Sequence, residues 1–121
     1  YSVDLASRIN AGFDACQLDV RGKNILLKPN MVEYADHGAI NTDVAVLAAA
    51  LEVFRARGAA SVRVGEGPGH RRDTIDLTEL TGYRKLIPGF DNLFTDLNRD
   101  DVAAVTNFAG IPEFFLSKTL I

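Results

Sequence analysis

Between Gly65 and Thr74 the chain reads Gly-Glu-Gly-Pro-Gly-His-Arg-Arg-Asp-Thr, which puts glycines, an imidazole, two guanidinium groups and two carboxylates into one turn after an apolar run. Such a cluster has little use in a core and a clear use around an anionic ligand. Arg71 or Arg72 can grip a carboxylate or phosphate with two parallel N–H bonds, where a lysine acts as a point charge. His70 is the candidate catalytic residue, since an imidazole moves protons near neutral pH. Gly67 and Gly69 allow close backbone approach, while Asp73 and Thr74 open the next helix, whose N-terminus favours negative charge. Pro68 donates no N–H, so the loop is not a uniform nest of amides.

A second polar segment begins at Lys28-Pro29-Asn30 and runs to Asn41-Thr42. Both segments follow short apolar runs, Asn24 to Lys28 and Ser61 to Gly65, that read as buried strands. Between them Val44, Leu47, Ala48, Leu51 and Phe54 repeat at helical spacing, Asn41 or Thr42 is placed to cap, Asp43 suits the helix dipole, and Gly58 ends the helix. Strand, helix and strand in succession predict a βαβ unit with parallel strands. Ligands of such sheets bind beyond the carboxyl ends of the strands. The reading therefore gathers Lys28, Asn30, Asn41, Thr42, Glu66, His70, Arg71 and Arg72 around one crevice. Each has a plainer alternative. Lys28 can snorkel to water, Glu66 can accept from an arginine of its own loop or bind a metal, and glycine-arginine turns are often simply solvated. His37 reads as an ordinary loop histidine, and Asp96 and Asn98 as the end of a strand and the start of a turn. No cofactor is specified, no metal-ligand spacing stands out, and neither a Walker loop, a Gly-x-Gly-x-x-Gly fingerprint nor a Gly-x-Ser-x-Gly elbow is present.

The remaining elements are a helix over residues 3–17, a short helix from Ile75 to Thr81 ended by Gly82, a third strand over 93–97 and a further strand from Val102 to Phe108. Cys16, on the apolar stripe of the first helix, is expected to be a buried thiol. As the single cysteine it excludes an internal disulfide and a thiolate metal centre built from this segment alone. The expected fold class is α/β, a βαβ-based and mostly parallel sheet flanked by helices. The 121 residues make one domain, 1–121. A net charge of −3 argues against wholesale nucleic-acid binding, and no apolar run reaches the ~18 residues a membrane span requires. A cytoplasmic location is expected, although Tyr1 is not an initiating residue and leaves room for a removed leader. The segment from Gly110 to Ile121 is apolar and ends abruptly, suggesting a fragment of a larger protein. It predicts docking on further sequence or on a second copy.

The same residues carry a family resemblance. Gly22-Lys23-Asn24-Ile25-Leu26-Leu27-Lys28-Pro29-Asn30-Met31-Val32, then Ala39-Ile40-Asn41-Thr42-Asp43, Arg57-Gly58-Ala59-Ala60-Ser61-Val62 and the Gly65–Thr74 loop resemble the domain-of-unknown-function family 362. Thr95-Asp96-Leu97-Asn98 and Leu116-Ser117-Lys118-Thr119-Leu120-Ile121 resemble one branch of it. The resemblance implies a continuation into a Pro-Lys-x-Lys-Thr-His strand that this chain stops short of. In some members it implies a ferredoxin-like module with iron–sulfur clusters, hence an accessory or interaction role in a redox protein. Gly69-His70-Arg71 is fainter in its similarity to the lactate racemase N-terminal domain. That similarity implies acid/base chemistry on a 2-hydroxy acid, with His70 moving the proton and Arg71 holding the carboxylate. The family's activity is largely unassigned. The leading expectation remains an anionic small molecule, with enzymatic activity left open.

Overall fold

The computed structural model describes residues 3–69 and 71–121. Helix α1 (Leu5–Ala15) starts at Asp4, whose carboxylate accepts the Ser7 N–H at 3.0 Å. Strand β1 (Asn24–Leu27) follows, then α2 (Val44–Ala56), β2 (Ser61–Glu66) and α3 (Thr74–Leu80). Two single-turn helices, α4 (Tyr83–Leu86) and α5 (Phe90–Leu93), each enter through a left-handed glycine, Gly82 and Gly89. They lead to β3 (Phe94–Asp96). The three strands form a sheet in the order β1-β2-β3. Leu27 registers with Val64, and Val64 in turn with Phe94, all parallel. The βαβ reading holds.

Burial explains the layering. Val62 and Val64 of the central strand pack with Leu47 and Leu51 of α2 and with Leu77, Tyr83, Ile87 and Phe90 from the segment after the loop. Phe90 stacks on Phe94 with ring centroids 5.1 Å apart. The next turn of α2 turns Val53 towards Phe13 and Val20, and Phe54 meets the Phe13 ring edge-on at 4.8 Å. Helix α2 thus lies between the sheet and α1. Burying a side chain such as Leu51 contributes about 2 kcal/mol, and α2 supplies such residues to both clusters.

Two expectations are corrected here, and a third is borne out in an unforeseen setting. Cys16 is exposed, not buried. Helix α1 ends at Ala15, so Cys16 sits in the C-cap, past the last turn whose stripe Phe13 closes. The cap of α2 is Asp43, accepting the Ala45 N–H at 2.7 Å, rather than Asn41 or Thr42, whose side chains are used inside the preceding loop. The predicted strand at Val102 does form, as β4 (Val102–Phe108), but it pairs with β5 (Ile111–Ser117) in a separate antiparallel ribbon. Ala109 and Gly110 both take positive φ at the two-residue turn, the conformation that tight hairpins require. A short 3-10 turn, Lys118–Leu120, follows.

Candidate functional site

All three parallel strands end in charge. Lys28 immediately follows β1, Glu66 closes β2 and Asp96 closes β3. Glu66 and Asp96 are register partners, so their side chains leave the same face of the sheet from adjacent strands. Glu66 is buried, its side chain 3% exposed, and both its oxygens accept from Lys28 Nζ at 2.7 Å. Its Oε1 also accepts the Gly67 N–H at 3.0 Å. A lysine from the neighbouring strand, which sequence reasoning did not pair with Glu66, is bonded to it, because parallel register places Lys28 beside the end of β2. Lys28 remains 59% exposed, so the pair has one wet and one buried member.

Asp96 is 10% exposed and accepts from Thr74 Oγ1 at 3.0 Å and from the Asn98 N–H at 3.0 Å, both on Oδ1. Its Oδ2 is enclosed, takes no hydrogen bond from the described residues, and lies 3.5 Å from Arg99 Nε. Arg99 bonds Asp73 at 2.5 Å as well. Asp73 caps α3 through the Ile75 and Asp76 amides at 2.8 and 3.2 Å. The Asp76 amide first, then the Ile75 amide and Arg99, hold the Asp73 carboxyl below the usual carboxylate range. Thr74 is buried, and its hydroxyl is spent on Asp96.

The loop after β1 is tied to itself. Asn30 donates its backbone N–H to Thr42 Oγ1 at 2.9 Å and its side-chain amide to the Ile40 carbonyl at 2.8 Å. Asn41 accepts the Val32 N–H at 2.9 Å and donates to the Glu33 carbonyl at 2.8 Å. Asn30 and Asn41 accordingly shape the loop rather than present free amides. The buried Tyr83 donates its hydroxyl to the Thr42 carbonyl. Burial, with the negative charges of Asp43 and Glu66, pushes that phenol up to about 12.

The two crossover loops do share one end of the molecule. Besides Lys28–Glu66, Arg72 reaches across to Glu33 at 2.7 Å. Arg71 is exposed and has left-handed backbone, φ 65°. His70, the expected proton-transfer residue, lies outside the described residues. Gly67 is explained by packing. A Cβ there would stand 2.5 Å from Asn98 Oδ1, and Asn98 donates to the Pro68 carbonyl at 2.9 Å. Gly69 is exposed, with open space where a Cβ would stand. Among the described residues no trio of His, Cys, Asp or Glu is placed to hold a metal ion.

Sequence reasoning gave no site role to Arg99, Glu33 or Tyr83, and for Asp96 it set a strand-ending role ahead of a functional one. One signal could have found Asp96, an acid closing the third strand where Lys28 and Glu66 close the other two. Residues 25–121 match the family described as Domain of unknown function (DUF362). The chain belongs to that family. The matched stretch of this DUF362 chain contains all three strand-end charges and both crossover loops. No curated protein matches it, and no solved structure does. No helix among the described residues is long and apolar enough to cross a membrane.

Proposed function

We propose that this DUF362 chain binds a small anionic molecule at the carboxyl end of its parallel sheet, with Lys28 as the fixed cation. The carrying observation is the Lys28–Glu66 pair. An ammonium has three donors, and Glu66 takes two of them at 2.7 Å from a buried position. The third proton remains at the mouth, on a side chain still 59% exposed. A charge held in place loses less freedom on binding than a waving lysine. Arg71 and Arg72 bring further positive charge along the adjoining loop. Arg72 already bonds Glu33, so a ligand would exchange places with a carboxylate rather than meet bare charge. That favours a small anion over a polyphosphate.

Isothermal titration with inorganic phosphate and with acetate tests this, using wild type, Lys28→Ala and Arg71→Ala/Arg72→Ala. Binding should fall at least about tenfold in Lys28→Ala, the usual worth of a charge-assisted bond. Binding that ignores both changes overturns the reading.

A second reading, a docking role for residues 110–121, draws on the ribbon. Strands β4 and β5 pack chiefly on each other. Phe108, Ile111 and Phe115 are exposed, Phe115 at 63%. Two-stranded ribbons are marginal alone in water, which supports a covering partner. Concentration-dependent association in size-exclusion chromatography, lost in Phe115→Ser, is the result this reading requires.

A further inference from the structure

Beside Lys28, between β1 and α2, runs a groove of about 240 Å³. Leu26, Leu27, Val46, Leu47 and Ala50 give it apolar walls, and Lys28 and Thr42 stand among them as its polar members. We infer that this groove receives the body of the ligand, so that the site takes a small carboxylate carrying an apolar group. The inference rests on the anion site at Lys28 and extends it from a charge to a substrate class.

Three observations converge on that class. The groove borders β1, the edge strand of the described sheet, where Leu26 and Leu27 remain partly exposed. Its size suits one ring or a short aliphatic chain, since an apolar cavity of about 150 Å³ already accepts benzene. Its polar members can serve an acid head group. Lys28 has its third ammonium proton beyond the Glu66 pair. Thr42 Oγ1 accepts from the Asn30 amide while its own proton is given to no described residue. A carboxylate held between an ammonium and a hydroxyl gains two donors, one of them charged. Its tail then covers Val46 and Ala50, which the fold leaves partly exposed. A phosphate ester with a polar body would gain the head-group contacts and waste the walls, and an apolar alcohol would do the reverse.

The test compares acetate, hexanoate and hexanol on the 121-residue chain by calorimetry, with amide shifts followed by NMR. Hexanoate should bind at least about tenfold more tightly than acetate, as burial of a few methylenes requires, and should shift the amides of Val46, Leu47 and Ala50. Ala50→Phe, which fills the groove, should remove hexanoate's advantage while acetate binding persists. Equal binding of acetate and hexanoate overturns the inference and leaves the anion site standing. So do hexanol binding as tightly as hexanoate, and shifts confined to Gly67, Gly69 and Arg71. Self-association that vanishes in Ala50→Phe overturns it in favour of a second copy in the groove. Failure of all three probes and of phosphate removes the anion site itself. Should Ala50→Phe not fold, the wild-type affinity ratio and shift map decide alone.

Discussion

Lys28 Nζ sits 2.7 Å from both oxygens of Glu66, joining the carboxyl end of β1 to that of β2 across one strand spacing. The pair is asymmetric in burial, and that sets its energetics. Breaking a buried pair from one side is costly because the other charge stays behind, but here Lys28 stands largely in water, so the cost is screened. Lys28→Met should lower stability by about 1–2 kcal/mol in urea unfolding at neutral pH. Lys28→Met/Glu66→Gln should lie closer to wild type, because the amide keeps an acceptor for Gly67 and carries no stranded charge. A double variant no better than Lys28→Met contradicts this account.

Tyr83 ties the helical segment after the glycine loop to the loop after β1, through the Thr42 carbonyl. Its phenol ionises at about 12 in the fold against 10.0 for an ordinary tyrosine. Between those values the unfolded chain loses the proton while the folded chain keeps it. The contribution is therefore whole below pH 10.0 and is lost as pH rises to about 12. Tyr83→Phe should cost about 1 kcal/mol at neutral pH, one buried hydrogen bond with its carbonyl left behind. It should also flatten the alkaline arm of the stability profile. Equal alkaline slopes for variant and wild type would refute the assignment.

Much of this architecture is legible in the residues. The period of α2 and the apolar runs on either side of it fix a parallel pair, because a crossover helix leaves little alternative. Lys28 and Glu66 then have to meet at one end. What escapes sequence reading is pairing among charges far apart in the chain. Arg99 looks like turn chemistry until β3 is placed beside β2, and only then does it stand between Asp73 and Asp96. Asn41 and Thr42 have the right chemistry for a helix cap and lose that position to Asp43, one residue on, since the loop needs their side chains for its own amides. Cys16 fails by a single residue of helix length. The hairpin of β4 and β5 hides because an apolar run after a Gly turn specifies a strand without saying which sheet it joins.

Gly67 and Asn98 form the contact that holds the glycine loop against the turn after β3. Gly67→Ala would bring a methyl to 2.5 Å from Asn98 Oδ1 and 3.2 Å from its backbone nitrogen. The expected loss is about 1–3 kcal/mol, the usual cost of overpacking. Asn98→Ala should itself destabilise by releasing the Pro68 carbonyl, yet Gly67→Ala/Asn98→Ala should be less damaging than the two single losses added together. Strict additivity in the thermal unfolding of the four proteins would mean the two residues do not meet.

Asp100 anchors the base of the ribbon. It accepts from the Ser117 hydroxyl and from the Thr119 amide, the latter at 3.0 Å. The Ser117 hydrogen bond first, then those of Thr119, hold its carboxyl at about 2, against 3.8 for an ordinary aspartate. A depressed carboxyl stabilises the fold above its unfolded value, so this anchor is intact above 3.8 and is lost as pH falls to about 2. Hydrogen exchange should show β4 and β5 amides losing protection across that window while those of β2 hold. Exchange rates are compared after correction for their intrinsic pH dependence. Asp100→Asn should remove the window, because a neutral amide still accepts both bonds but has no proton to gain. Ribbon protection that falls in step with β2 at every pH would place the acid transition elsewhere and leave Asp100 a bystander.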